Sequence, residues 1–367
     1  MESNKYYLGD LVTQRREKNP GGNLPIRGVS KEGLQSPKQV EADTSIYNLY
    51  YRNDFVYNPA RMELGSIAFN DEYDQAICSS LYEVFYVHRT DLVIPEYLAL
   101  FVKHPEFARY CSFIGNGSAR EYCRFDSISG IPIYLPSISE QRKIVHDNQV
   151  ITNRIKLLRK MNDVLFDVMN AVYSQWFFQF GPFGGIKPLD WTDGKIEDIA
   201  EFYDYLRKPL SGEEREGMQK LYPYYGAISI VDYVEDYLFD DTYVLLSEDG
   251  ANILDDKGHP ALQFIHGKVW VNNHAHVLKA KNGFSDASLY IFLSNMQMKT
   301  IVTGAAQPKI NQENLRSFPV VIPAQNTLEE FNRIIDPVFL RISENNDEID
   351  KLERLQGLLS NQLAKGA

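Results

Sequence analysis

Ile144 to Trp176 reads IVHDNQVITNRIKLLRKMNDVLFDVMNAVYSQW. Apolar residues recur in it every seven positions. Ile144, Ile151, Leu158, Leu165 and Val172 form one row; Asn148, Ile155, Asn162, Met169 and Trp176 form a second. Two interleaved rows of this kind make the a/d seam of a coiled coil. The spacing predicts one helix over 139–178. Ser139 is its expected cap, with Glu140, Gln141 and Arg142 in the first turn, Pro136 barring an earlier start and Gly181-Pro182 closing the far end.

The register returns at a shift of 187, from Ile144 to Phe331. Phe331, Val338, Asn345, Leu352 and Leu359 repeat the first row; Ile335, Ile342, Ile349, Gln356 and Leu363 repeat the second. Pro337 is expected to end a first turn or kink the helix. Each helix could run to roughly 40 residues, about 60 Å at 1.5 Å per residue. Seams this long need a partner. Each helix could pack on its own globular neighbour, or the two could pair as an antiparallel coiled coil. Their common phase favours the pair. Asn148, Asn162 and Asn345 in the seam would then fix its register at some cost in stability.

The repetition extends outward from the helices. Gly117, Ile128, Pro132 and Pro136 align with Gly304, Leu315, Pro319 and Pro323, and Leu8-Gly9-Asp10-Leu11 resembles Ile196-Glu197-Asp198-Ile199. A period this long is no solenoid, whose units run roughly 20–50 residues. It is a duplicated module, globe then helix. The expected divisions are 1–138, a first module; 139–186, a spacer helix; 187–326, a second module; and 327–367, a C-terminal helix. Short β-like runs (Phe55–Tyr57, Ile77–Val87, Thr242–Leu246, Val269–Val271, His276–Leu278) and short helices at Pro95–Lys103 and Ala287–Gln297 make both modules α+β.

Composition bounds what such a chain does. With 44% hydrophobic and 13% aromatic residues it is not disordered. It lacks a run of 18 apolar residues, and its polar start does not resemble a signal peptide. Three cysteines, Cys78, Cys111 and Cys123, suit free thiols in a reducing cytoplasm. The net charge of −11 divides as −3, +2, −7 and −3 over the four segments. An acidic chain that touches DNA must use local basic patches and a more basic partner.

Candidate contacts follow from residue type. Each module closes with a loop of small residues carrying donors: Gly115-Asn116-Gly117-Ser118-Ala119-Arg120 with Arg124, and Gly304-Ala305-Ala306-Gln307-Pro308-Lys309-Ile310-Asn311. Small residues let backbone approach a surface, while Gln, Lys, Asn and Arg are base and phosphate donors. An ordinary loop at a strand end is the plainer alternative. Arg15, Arg16 and Lys18 form a tight basic cluster. Tyr224 and Tyr225 could stack on bases, or form one half-buried strand with Tyr222. Catalytic apparatus is not evident. Asn58-Pro59-Ala60-Arg61 starts like a methyltransferase motif but lacks its second proline and aromatic ring. Neither a P-loop nor a Gly-rich cofactor fingerprint is present. His274 and His276, and the acidic group Glu248, Asp249, Asp255 and Asp256, read better as a strand and a solvated turn than as metal sites.

The order of these fragments resembles the specificity subunit of type I restriction–modification systems along essentially the whole chain. Phe55-Val56-Tyr57-Asn58-Pro59-Ala60-Arg61-Met62, Leu135-Pro136 before Glu140-Gln141-Arg142-Lys143-Ile144, Tyr222-Pro223-Tyr224-Tyr225-Gly226, Asn273-His274-Ala275-His276 and Gln307-Pro308-Lys309-Ile310-Asn311 carry the likeness. The resemblance implies two target recognition domains, each reading half of a split DNA site. It implies helices that set their separation and dock two methyltransferase subunits, with motor–nuclease subunits joining for cleavage. S-adenosylmethionine, ATP and Mg would then belong to those partners, and this chain would carry neither catalytic site nor metal. Its DNA contacts are expected at Arg15, Arg16, Arg61, Ser118, Arg120, Arg124, Tyr224, Tyr225, Gln307, Lys309 and Asn311. A coiled-coil scaffold with two protein-binding modules is the alternative.

Overall fold

The computed structural model of the chain describes residues 4–41, 43–115, 123–304 and 307–364. Two long helices, Ile138–Phe177 and Gln325–Ala364, dominate it. The chain divides into two compact units, and the division cuts both helices: 1–157 with 348–367, and 158–347.

Within the first unit Thr152 meets Gln356 (2.9 Å), and Arg154 grips Glu348 through two bonds of 2.6 and 2.8 Å. Within the second, Asn162 accepts from Asn345 (2.7 Å) and donates to Asn346 (2.8 Å), Phe166 packs edge-on against Phe339, and Trp176 lies against Phe331. In both units numbers rise along one helix as they fall along the other, so the pairing is antiparallel. Every seam position with a described side chain is buried or half-buried, while the apolar residues off the seam, Val150, Leu157, Val164 and Leu340 among them, stay exposed. The alternative packing is also realised in part. Met169 and Tyr173 of the first helix enter the core of the second unit beside Phe292 and Phe331.

Two helix details differ from expectation. The first helix is capped by Ser137, not Ser139. Ser137 Oγ accepts from the Glu140 N–H, and Glu140 Oε2 accepts from the Ser137 N–H, a reciprocal box that sets the start two residues earlier. Pro337 sits inside an unbroken helix. Pro337 and Arg333 are both exposed, so the Arg333 carbonyl that loses its donor can bond water, while buried Ile335, Phe339 and Ile342 hold the opposite face.

The two modules share one plan. The first has an antiparallel sheet in the order Val12–Arg15, Glu83–Val87, Asp54–Tyr57, Ile67–Phe69. The second has Ala200–Phe202, Ala275–Ala280, Tyr243–Ser247, Leu262–Ile265. In chain order both are 1-4-2-3. Each module is also clasped by a two-stranded pairing of its ends, Asn4–Tyr7 with Pro132–Leu135 and Thr192–Lys195 with Pro319–Ile322. The short helices correspond too: Leu8–Leu11 with Ile196–Ile199, Pro95–Lys103 with Asp286–Ser294, and Phe125–Ser129 with Gln312–Arg316. Alternation puts Phe55 and Phe85 on the core side of the first sheet, stacked at 4.8 Å, with Leu8, Leu11 and Ile128 closing over them. Burying each such side chain contributes roughly 1.5–3 kcal/mol. The expected run Ile77–Val87 is two strands, Gln75–Cys78 and Glu83–Val87, parted by a turn that begins at Ser79.

The modules differ at their edges. After Pro95–Lys103 the first continues into a second helix, Pro105–Gly115. At the same place the second has a two-stranded hairpin, Val302–Thr303 with Lys309–Ile310. The second also adds a sheet of Ile230–Val234, Tyr222–Tyr225, Lys268–Val271 and Phe239–Asp240. The first instead has the hairpin Gly28–Ser30 with Gly33–Gln35.

Candidate nucleic-acid interface

In the second module the hairpin that carries the expected contacts is latched to the sheet. Gly304 makes its turn with φ +81°, and a Cβ there would fall 2.5 Å from the Gln307 carbonyl oxygen. The Ile310 N–H donates to the Glu248 carbonyl (2.8 Å) and the Gly250 N–H to the Pro308 carbonyl (3.2 Å). Side chains close the latch. Glu248 accepts from Lys309 Nζ at 2.9 Å and from Arg207 Nη1 at 2.7 Å. Arg207 also donates to the Ala275 carbonyl. His276 Nδ1 lies 2.7 Å from Asp204 Oδ2, and Nε2 lies 2.8 Å from the Ile310 carbonyl. Both neighbours are oxygen acceptors, and the ring bridges them. Asp204 further accepts from the Val277 N–H and from Gln312 Nε2, each at 2.8 Å.

The electrostatics follow from this geometry. Burial would raise the Asp204 pKa, but the hydrogen bond and charge of His276, the Val277 amide and Arg207 outweigh it and hold the carboxyl below its ordinary value. Glu248 is likewise pushed up by burial and pulled down further by Arg207 and Lys309. Bonding to Glu248 raises Lys309. The donor atoms of Asp204, Glu248 and His276 fall within 4.8 Å of one another, spacing a cation could use. Their lone pairs and charge are already engaged by Arg207, Lys309 and Gln312, the pattern of a salt-bridge network. His274 lies in the turn before the strand and bonds Asp249, while Asp255 bonds His259, so neither the two histidines nor the four acids gather at one point.

The expected contact residues separate into groups. Gln307 and Lys309 are on the surface of the second module. Asn311 is spent as a helix cap, its Oδ1 accepting from the Asn314 N–H at 2.8 Å. Tyr224 is a core residue: its hydroxyl accepts from the Leu210 N–H, its ring packs with Trp270 and Val234, and Arg215 covers a face. Tyr225 is half-buried against the sheet. In the first module Arg15 is also committed. It lies between the rings of Tyr51 and Tyr86 and is bonded to the buried Asp54 and to Glu17. Arg15, Tyr224 and the Oδ1 of Asn311 are thus engaged in holding structure. Arg16 is exposed beside Gln14, and Arg124 is exposed 3.9 Å from Glu83. Arg61 is exposed, and its guanidinium makes no hydrogen bond or ion pair among the described residues. Ser118 and Arg120 lie outside the described residues.

Sequence reasoning missed the latch itself. Asp204 and Arg207 share one turn, Glu248 and His276 stand on two further segments, and only Glu248 and His276 stood out, as parts of other groups.

A family model described as Type I restriction modification DNA specificity domain matches this chain twice, over residues 9–165 and 188–354. The chain belongs to that family and carries two copies of its domain. It is 33% identical over 158 residues to a putative type I restriction enzyme specificity subunit of Haemophilus influenzae, covering 43% of this chain and 38% of that one. It is 21% identical over 303 residues to the MjaIX specificity subunit of a type I restriction enzyme of Methanocaldococcus jannaschii, covering 75% and 69%. The fold matches the crystal structure of a type I restriction–modification S subunit from M. genitalium with a TM-score of 0.59 at 14% identity, over 99% of this chain and 96% of that one. Among the described residues no helix is long and apolar enough to cross a membrane.

Proposed function

We propose that this chain is the non-catalytic DNA-reading subunit of a type I restriction–modification complex, each module reading one half of a bipartite duplex site. The two helices act as the ruler between half-sites and as the dock for two methyltransferase subunits; motor–nuclease subunits join for cleavage. S-adenosylmethionine, ATP and Mg would serve those partners. The observation that carries this reading is the repetition of one strand order, 1-4-2-3, on helices that share one seam. Exposed Arg16, Arg61, Arg124, Gln307 and Lys309 supply the donors such modules need, with Ser118 and Arg120 as further candidates. Exposed Val150 and Leu157, and Val164 and Val168 further along, give the first helix apolar side chains that its own seam does not use.

The test is the methylation motif of cells that make this chain with its partner methyltransferase. Without the chain the motif should vanish. Four residues inserted after Arg159, with a matching insertion near Asn346, add about one turn and roughly 6 Å. The half-sites should persist while the unread spacer lengthens by roughly one or two base pairs at about 3.4 Å each. Altered half-sites with an unchanged spacer would sink the ruler.

A further inference from the structure

The first module contains a groove of about 860 Å³ that the expected contact residues touch only at Arg61. Its walls come from three separated segments: the hairpin tip at Lys31, the turn at Arg61 and Glu63, and the joint between helices at Lys103, His104 and Arg109. Four cations line it against one carboxylate, in a chain whose net charge is −11. Lys103 donates to the Lys31 carbonyl at 3.0 Å, Arg109 pairs with Glu106 on its own helix, and Glu32 stands near Lys31 and Lys103 while bonded to Ser30. Set against Glu32, Glu63 and Glu106 the four cations leave a surplus of one, which favours an anion here in a chain that is otherwise acidic.

A titratable ring lies in the wall of the groove. His104 is 8% exposed, and its Nδ1 accepts the Glu106 N–H at 3.2 Å. The proton of the neutral ring therefore sits on Nε2. That Nε2 is buried and has no hydrogen-bond partner. Closed to solvent, this nitrogen touches no ligand itself, and its proton reports the field of a charge placed in the groove. The positive end of the helix Pro105–Gly115 begins beside it.

We infer that this groove holds a backbone phosphate of the duplex read by the first module, with Lys31, Arg61, Lys103 and Arg109 around the phosphate and His104 in the wall behind them. The inference rests on the DNA-reading function proposed above and adds the place where the strand is gripped. Phosphate contacts position a protein on DNA without carrying sequence information. Losing this grip therefore weakens binding without changing what is read.

The experiment measures duplex affinity against salt for the full chain with its methyltransferase partner, in wild type, Lys31→Ala, Arg109→Ala and the charge reversal Lys31→Glu. Both positions are exposed, and unchanged circular dichroism checks the fold of each variant. Each lost phosphate contact should flatten the slope of log affinity against log salt by roughly 0.9, with the methylated motif unchanged. Duplex should also shift the His104 imidazole N–H resonance, and inorganic phosphate at constant ionic strength should do so only weakly. If wild type fails to bind any duplex specifically, the DNA-reading function itself falls. If wild type binds and the variants keep its slope, the groove alone is wrong. If inorganic phosphate shifts His104 and duplex does not, the groove serves a free anion and the inference is overturned.

Discussion

The two modules share a skeleton and differ in how they hold their edge charges. In the first, a basic groove is lined by Lys31, Arg61 and Arg109 from separated segments, and the buried pair Arg15–Asp54 lies apart from it. In the second, the cation on the contact hairpin, Lys309, is tied through Glu248 to Arg207, and Asp204 and His276 complete the network. The lesson is that a frame of sheet and helix can be copied while the presentation of charge is rebuilt. The frame is fixed by burial, which tolerates few substitutions. The edges are held by polar pairs that can be exchanged singly.

The largest expected effect comes from breaking the latch. Asp204→Ala leaves Arg207 and His276 facing no carboxylate from that side, in a site where His276 is fully buried. Breaking a buried pair by removing one partner costs about 3–5 kcal/mol. Thermal unfolding followed by tryptophan fluorescence should fall accordingly, because Trp176, Trp191 and Trp270 all lie in the second unit. A loss under about 1 kcal/mol, the range of exposed pairs, would show that the network is ornamental.

The contact sites should differ next. Lys309→Ala removes an exposed cation, with an expected loss of roughly 1–3 kcal/mol if the residue meets a base edge, seen as relaxed methylation at one position of one half-site. Arg61→Ala, in the groove of the first module, should weaken binding to every sequence and leave both half-sites as they are. A motif relaxed by Arg61→Ala would place a base edge, not a phosphate, at that side chain.

The seam offers a smaller effect. Asn162 and Asn345 are buried, and Asn345 Oδ1 has no partner. Replacing both by Leu removes the unmet acceptor and should raise stability by roughly 1–3 kcal/mol while weakening the register. Denaturant midpoints check the first part. The appearance of extra spacer lengths in the methylation motif checks the second.

Much of this was legible in the sequence, for a physical reason. Heptad rows such as Ile144, Ile151 and Leu158 are local and periodic, so the starts of both helices could be read to within a residue or two. The strand core around Phe55 and Phe85 showed through β-rich runs. The sites were not legible in the same way. Lys31, Arg61 and Lys103 lie 30 to 72 residues apart in number and meet only in the fold. Arg15 stood in a basic run and turned out to be locked between tyrosines, because a guanidinium serves a buried carboxylate as readily as a phosphate. Tyr224 is turned into the core because alternation places every second residue inward. Asn311 caps because a helix begins immediately after it.

Acid should separate the modules by the least energy and the clearest sign. In the second module, Asp204 and Glu248 are held below their ordinary values of 3.8 and 4.5. The unfolded chain then binds protons that the folded chain does not, so stability rises with pH there. That contribution is complete above the ordinary values and is lost as pH falls through the lowered ones. In the first module Asp54 goes the other way. Burial raises it above 3.8, and the hydrogen bond and charge of Arg15 offset only part of that rise. Folded Asp54 takes up its proton first, so acidification in that window favours the folded form. Glu17 opposes this, lowered by its bonds to Tyr51 and Arg15, but it is exposed and screened. The second module should therefore loosen at a higher pH than the first. The sequence supplies separate probes for each. All three tryptophans lie in the second unit, and Cys78, Cys111 and Cys123 all lie buried in the first. Titrating from pH 6 to pH 2, fluorescence should change before a thiol reagent active in acid, such as a dithiodipyridine, gains access to the cysteines. Coincident midpoints, or thiols exposed first, would show that the latch does not set the acid stability of its module.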